Sequence, residues 1–85
     1  MAKVEVYTKV LCPFCARAMK LFKNKGVAVE EIDISMGGTK RAEMLARSQG
    51  RTTVPQIFIG ERAVGGSDDL AALDRSGELD RLLAA

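Results

Sequence analysis

The feature that most constrains the fold is a change of apolar period at the junction that holds the two cysteines. Residues 3–8 (KVEVYT) alternate apolar Val4 and Val6 with polar neighbours, a pattern typical of a β-strand. Residues 13–25 then repeat at helical spacing, and the side chains that share one face are Cys15, Ala18, Met19 and Phe22. A strand that leads directly into an amphipathic helix predicts the first half of a β-α-β unit.

The ends of this first helix carry recognisable signals. Pro13 suits the first helical position, where the missing N–H has no partner in any case. Lys20, Lys23 and Lys25 lie near the negative pole of the helix dipole, and Gly26 is a natural C-cap. We therefore expect the helix to span residues 13–25.

Six further segments follow. Residues 27–34 (VAVEEIDI) predict a second strand, whose apolar phase slips between Val29 and Ile32 and so indicates a bulge or bend. The remaining predictions are a helix from about Thr39 to Ser48 closed by Gly50, a strand over 55–60, a strand over 62–65 forming a hairpin with it, a helix that Ser67 caps, and a short helix from 78 to 85. The order β-α-β-α-β-β-α-α predicts an α/β fold with a four-stranded mixed sheet and helices on both faces.

Size and charge narrow the class of protein. The 85 residues are enough for one domain, predicted to span 1–85. With 13 basic and 11 acidic residues, the net charge of +2 is too balanced to indicate binding to nucleic acid or to an acidic membrane. No apolar run approaches a membrane span, and MAKVEVYT lacks the apolar core of a secretory signal. We expect a cytoplasmic protein. The simplest interpretation of Arg41, Arg47 and Arg51 is that they are solvated surface charges.

The pair Cys12 and Cys15, spaced C-x-x-C, has three readings. A zinc site needs at least three protein ligands, and without histidine or a third cysteine the chain would need a second chain or an external thiol. A structural disulfide closing so short a loop would stabilise by roughly 2 kcal/mol, against ~4.7 kcal/mol for a 100-residue loop. The third reading is a redox centre, a known use of C-x-x-C beside a β-α-β pattern.

The placement of the pair favours the redox reading. If Cys12 precedes or caps the helix, its sulfur faces the positive end of the dipole and free backbone N–H groups, which favour a thiolate. Lys9 on the preceding loop adds positive charge. Cys15 lies one turn on and more buried, where it can attack a mixed disulfide formed at Cys12. No metal site is predicted.

Three motifs together resemble those of the glutaredoxins, and more narrowly of the short dithiol type common in bacteria. They are TKVLCPFC at 8–15, RTTVPQIFIG at 51–60 and GGSDDLAALD at 65–74, so that the resemblance runs from the first strand to the last helices. It implies a thioredoxin-like fold, with the first strand between the second strand and the hairpin. It also implies glutathione-dependent reduction of protein disulfides and of glutathione mixed disulfides.

The resemblance assigns roles to individual residues. Cys12 would be the nucleophile that receives the glutathionyl group, and Cys15 the resolving thiol needed only for protein disulfides. TVP would be a loop with a cis-proline, in which the Val54 backbone pairs with glutathione like an added strand. Lys9 would meet the glycine carboxylate, with Arg51 nearby. The implied glutathione-binding residues are Lys9, Phe14, Arg51, Thr53, Val54, Pro55, Gly66, Ser67 and Asp68.

Two of these roles agree with general physical chemistry. A γ-glutamyl carboxylate fits the helix N-terminus at Ser67 and Asp68, and the Asp68 carboxylate can accept a hydrogen bond from the α-ammonium group. The chain departs from the family at Phe14, where a tyrosine hydroxyl is often present, and at Leu11, where a polar or aromatic residue is more usual.

The expected partners follow from the same resemblance. Glutathione would be a co-substrate, with no tightly bound cofactor, and the electrons would come from NADPH through glutathione reductase. The protein partners would be disulfide-containing or glutathionylated proteins, with ribonucleotide reductase a family-level expectation, and the chain would be a monomer.

Two alternatives stay open from the sequence. One is a thioredoxin-like electron carrier reduced by a flavoprotein reductase, although thioredoxins usually carry a Trp before their motif and this chain has none. The other is a dimer that binds an iron–sulfur cluster through Cys12 and glutathione. Pro13 and the bulky Phe14 disfavour it, since cluster-binding relatives usually have small residues there.

Overall fold

The computed structural model describes residues 2–85 and contains the predicted order of strands and helices. The elements are β1 (Val4–Thr8), α1 (Pro13–Asn24), β2 (Glu30–Asp33), α2 (Gly38–Arg47), β3 (Gln56–Ile59), β4 (Arg62–Gly65), α3 (Ser67–Ser76) and α4 (Glu78–Ala84). Among these residues, no helix combines the length and the apolar character needed to cross a lipid bilayer.

The four strands form one mixed sheet in the order β2-β1-β3-β4. β1 pairs with β2 in parallel and with β3 antiparallel, and β3 and β4 form the antiparallel hairpin. The predicted position of the first strand, between the second strand and the hairpin, is confirmed. Because β1 and β2 are parallel, their carboxyl ends lie at the same edge of the sheet, where the chain after β1 reaches the cysteines.

Helices cover both faces of the sheet, as predicted. On one face, α1, α3 and α4 enclose the larger cluster of buried side chains, which contains Val4, Val6, Ala18, Phe22, Ile57, Ile59, Leu70, Leu79 and Leu83. On the other face, α2 covers a smaller cluster of Tyr7, Ile32, Ile34, Met44 and Phe58. The strand residues divide between the two clusters by alternation, which is why β3 is buried along its whole length.

The second strand is shorter than predicted. It begins at Glu30, and its register with β1 runs without interruption from Glu5↔Glu30 to Thr8↔Asp33. Of the bulge or bend predicted for this segment, a bulge is therefore absent from residues 30–33, and the bend stays a prediction. Val27 and Val29 pack against the core from a segment outside the ladder, where strict alternation does not apply. The irregular register lies instead between β3 and β4, at Ile57 and Phe58.

The start of α3 also differs from the prediction. Gly66, not Ser67, is the N-cap, and Ser67 is the first helical residue. The Asp69 carboxylate accepts the Gly66 N–H at 2.9 Å, which is the reciprocal half of a capping box. Because Asp69 supplies this bond, the helix can begin at the glycine without a capping hydroxyl.

The ends of α1 agree with the prediction within one residue. Pro13 is its first residue, and Lys25 is the C-cap, followed by Gly26 at a φ of 71°. Val27 N–H donates to the Phe22 carbonyl at 3.0 Å, which closes the helix with the bond pattern that a left-handed glycine permits. Lys25 also bridges Asp74 and Asp80, each at 2.8 Å, and so ties the end of α1 to the other two helices on its face.

A polar network joins β1 to α2 and corrects the interpretation of Arg47 as a solvated charge. Its guanidinium binds both carboxylate oxygens of Glu5, at 3.1 and 3.3 Å, and donates to the Tyr7 hydroxyl at 2.9 Å. The same group lies 4.1 Å from the centre of the Phe58 ring, and Tyr7 donates to Glu43. The network holds α2 against the strand that leads to the cysteines.

Candidate active site

Cys12 is the N-cap of α1, as the redox reading requires. Its sulfur accepts a hydrogen bond from the Cys15 backbone N–H at 3.2 Å, and its carbonyl accepts the Ala16 N–H at 3.1 Å. The residue is partly exposed, and because it is the N-cap its sulfur lies at the positive end of the helix dipole, where an anion is stabilised. This geometry suits a nucleophilic thiolate.

Cys15 has the opposite environment. Its side chain faces the core and is 4% exposed, and both cysteines are free thiols. Burial is the largest cause that raises the pKa of the Cys15 thiol to about 12, and the hydrogen bond to Cys12 raises it further, while the Lys9 backbone amide acts in the opposite sense. Near neutral pH Cys15 keeps its proton, so it cannot be the first thiol to attack.

The predicted binding residues gather around a cavity of about 190 Å³ beside Cys12. All of them except Lys9 line this cavity, in company with Asp69: Phe14, Arg51, Thr53, Val54, Pro55, Gly66, Ser67 and Asp68. Lys9 lines a separate depression that also contains Cys12. The Cys12 sulfur lies 3.9 Å from the carbonyl oxygen of Val54, a residue of the small cavity's wall, so the two spaces lie on either side of this contact.

The loop before β3 is shaped by a residue that the sequence analysis did not single out. Val54–Pro55 is the cis peptide bond that the resemblance implied. The buried Gln56 side chain donates to the Thr53 carbonyl at 2.9 Å and to its hydroxyl at 3.2 Å. Gln56 thereby positions Thr53 and Val54 on the cavity wall. A polar residue at the start of an apolar strand was the available signal for this role.

Asp69 is the second missed residue. Besides capping α3, it forms an ion pair with Arg51 at 3.6 Å across the cavity, so the Arg51 charge is partly compensated. Gly65 has a φ of 109°, and a Cβ there would overlap Asp69 Oδ2 and lie 2.7 Å from Arg51 Nη1. The close approach of these side chains therefore requires glycine at position 65.

Three large apolar side chains close to Cys12 in the sequence are exposed. Val10, Leu11 and Phe14 are 65%, 98% and 52% exposed, respectively, although all three are large and apolar. The loop that carries Val10 is tied to the end of β2, since the Val10 N–H donates to the Ser35 hydroxyl at 2.8 Å. Exposed apolar side chains at a fixed position are typical of a surface that receives another molecule.

Comparison with known proteins decides the family. A family model described as Glutaredoxin matches residues 4–64, which include both cysteines and the TVP loop. The chain belongs to the glutaredoxin family. Glutaredoxin 3 of Escherichia coli strain K12 is 57% identical over 83 residues, covering 98% of this chain and 99% of the relative. A glutaredoxin of Pseudomonas aeruginosa is 54% identical over 85 residues and covers both chains fully.

Solved structures agree with the fold. The crystal structure of a buckwheat glutaredoxin–glutathione complex matches with a TM-score of 0.86 at 32% identity, over 98% of this chain and 77% of the other. The solution structure of a Brucella melitensis glutaredoxin matches with a TM-score of 0.83 at 53% identity, over 98% and 89% of the two chains. The fold is therefore thioredoxin-like, as expected, and the family chemistry is thiol–disulfide exchange.

The raised pKa of Cys15 predicts a pH dependence of stability. Burial raises that pKa from 9.0 to about 12, so below pH 9 both folded and unfolded chains hold the proton and the stabilisation is fully present. Between these values the unfolded chain releases the proton first, and the stabilisation is lost as the pH rises. Urea unfolding under a non-thiol reductant should show a steeper alkaline loss of the unfolding free energy in the native sequence than in Cys15→Ser. If the unfolding free energy fell equally steeply with pH in both proteins, the burial of the Cys15 thiol could not be raising its pKa.

Proposed function

We propose that the chain is a glutathione-dependent thiol–disulfide oxidoreductase that reduces protein disulfides and glutathione mixed disulfides. The observation that carries the proposal is the partly exposed Cys12, whose sulfur caps α1 and contacts Val54 on the wall of a cavity with polar and apolar residues. A tripeptide thiol needs such a site, with groups for its two charged ends and an extended backbone edge between them.

The reaction proceeds by two exchanges of sulfur bonds. The Cys12 thiolate attacks one sulfur of the substrate disulfide, and the other sulfur leaves with the bonding electron pair and takes a proton from solvent. Cys15 then releases its proton to solvent and attacks Cys12, which forms the Cys12–Cys15 disulfide and frees the second substrate thiol. Two glutathione molecules reduce this disulfide and become glutathione disulfide, which NADPH and glutathione reductase recycle.

A glutathione mixed disulfide needs only the first cysteine. Cys12 attacks the glutathione sulfur, the substrate thiol leaves, and a second glutathione attacks Cys12 to release glutathione disulfide. In both routes glutathione is a co-substrate. Its cysteine backbone would pair with Val54, its γ-glutamyl end would lie at Ser67 and Asp68, and its glycine carboxylate would face Lys9.

The two cysteines should separate the two activities. Cys12→Ser should abolish turnover in a coupled assay with glutathione, glutathione reductase and NADPH, because the attacking atom is lost. Cys15→Ser should retain turnover of a small glutathione mixed disulfide and lose reduction of a protein disulfide. The assay follows NADPH oxidation with each of the two substrates.

Each variant is the control for the other, because both replace one cysteine sulfur by a serine oxygen. Equal loss of both activities in Cys15→Ser would contradict the assigned order of attack. Full activity of Cys12→Ser would contradict the proposed function itself.

Asp68 should contribute to the affinity for glutathione. Asp68→Asn removes the charge proposed to meet the α-ammonium group, and should raise the KM for glutathione by roughly fivefold, the size expected of an exposed charge pair. Glu61→Gln, an exposed carboxylate on the turn between β3 and β4, is the matched control and should leave KM unchanged. An equal KM in both variants would exclude Asp68 from the site.

A further inference from the structure

A second groove leads away from Cys12 on the side opposite the proposed glutathione cavity. A depression of about 670 Å³ lies beside Cys12 toward β2, and another of about 730 Å³ lies farther along α1. Met19 lines both depressions, so they adjoin at this side chain, between α1 and the β2 side of the sheet. We call the two adjoining depressions the α1–β2 groove and define it by Cys12, Met19, Lys20, Lys23 and Val27.

The floor of the groove is apolar. Met19, Val27 and Val29 are half-buried and pack against the main core, and they leave part of their surface open to the groove. β2 is an edge strand, so no further strand of this chain covers that side. A channel with an apolar floor and open walls suits an extended peptide segment better than a compact small molecule.

Charge is distributed unevenly along the groove. The end near Cys12 contains both signs, since Lys9, Glu31 and Asp33 all line it. The far end contains Lys20 and Lys23, which form no ion pair within residues 2–85. Lys25, by contrast, is held by two aspartates. The far end is therefore the part of the groove that can select for negative charge.

Helix geometry sets the distance between this charge and the reactive sulfur. Lys20 and Lys23 lie eight and eleven positions after Cys12, which at a rise of about 1.5 Å per residue is roughly 12 and 16 Å along the axis of α1. An extended peptide covers about 3.3 Å per residue. A segment whose cysteine sulfur lies beside Cys12, as the leaving thiol of a glutathione mixed disulfide does, would reach the two lysines with the side chains about four and five positions away.

We propose that the α1–β2 groove binds the protein part of the substrate as an extended segment, with acidic residues four to five positions from the reactive cysteine. The inference rests on the proposed function and specifies its substrate class. The glutathionyl half of a mixed disulfide lies in the small cavity, and the protein half lies in the groove. Cys12 lines the groove and contacts Val54 on the wall of the small cavity, so one substrate can occupy both spaces together.

The test uses two synthetic peptides, each glutathionylated on one central cysteine. One carries Glu at the fourth and fifth positions on both sides of the cysteine, which makes the result independent of chain direction, and the other carries Lys at the same positions. At low ionic strength the Glu peptide should have about a tenfold higher kcat/KM, equivalent to ~1.4 kcal/mol. In Lys20→Glu/Lys23→Glu the preference should reverse, through KM rather than kcat.

The control changes the same charge on the other face of the sheet. Lys40→Glu/Arg41→Glu, on α2, alters net charge identically and should keep the preference for the Glu peptide. If Lys20→Glu/Lys23→Glu kept the preference for the Glu peptide, or if the α2 control changed it equally, the proposal that the groove binds the acidic segment would be wrong. Turnover of a small glutathione mixed disulfide by the native sequence is measured in parallel. Absence of that turnover would contradict the proposed function. Turnover without a preference between the two peptides would contradict only the proposal that the groove binds an acidic segment.

Discussion

The site depends on one hydrogen bond, from the Cys15 backbone N–H to the Cys12 sulfur at the first turn of α1. The bond exists because Cys12 holds extended backbone angles at the N-cap while Pro13 begins the helix. A helix N-terminus leaves its first amides without internal partners, and here a sulfur accepts one of them. The same bond fixes the spacing of the two cysteines, since the amide that stabilises the first sulfur belongs to the second cysteine.

The sheet and the helices make the two cysteines unequal. β1 delivers Cys12 to the carboxyl edge of the sheet, where it is partly exposed, and α1 turns Cys15 toward the core cluster. Burial then keeps Cys15 protonated, which leaves Cys12 as the sulfur that meets a substrate. The order of attack in the proposed reaction is therefore a consequence of packing and not of any difference in chemical type.

The apolar periodicity and the helix-capping residues predicted most of the fold. The alternation in β1, the helical spacing in α1 and the cap at Gly26 are local patterns, and each is present in the structure. The predicted start of β2 was wrong, because Val27 and Val29 pack against the core without being part of a strand. An apolar pattern indicates which residues are buried. It does not show whether their backbone pairs with another strand, because that partner lies elsewhere in the chain.

The sequence predicted the residues that line the candidate site, but not the residues that hold their segments in position. The motifs identified the residues around the small cavity, which the fold brings together from three separate segments. Gln56 and Asp69, which hold those segments, were missed because their partners depend on tertiary geometry. Arg47 was misread for the same reason, since only the packing of α2 on β1 places it against Glu5 and Phe58.

The most direct test of the account is the rate at which Cys12 reacts with iodoacetamide at pH 6. Mass spectrometry of the reduced protein measures modification at each cysteine, with free glutathione as the reference thiol. A thiolate stabilised at the start of α1 predicts that Cys12 is alkylated at least tenfold faster than glutathione, while Cys15 stays unmodified. A Cys12 rate equal to that of glutathione would contradict the central claim.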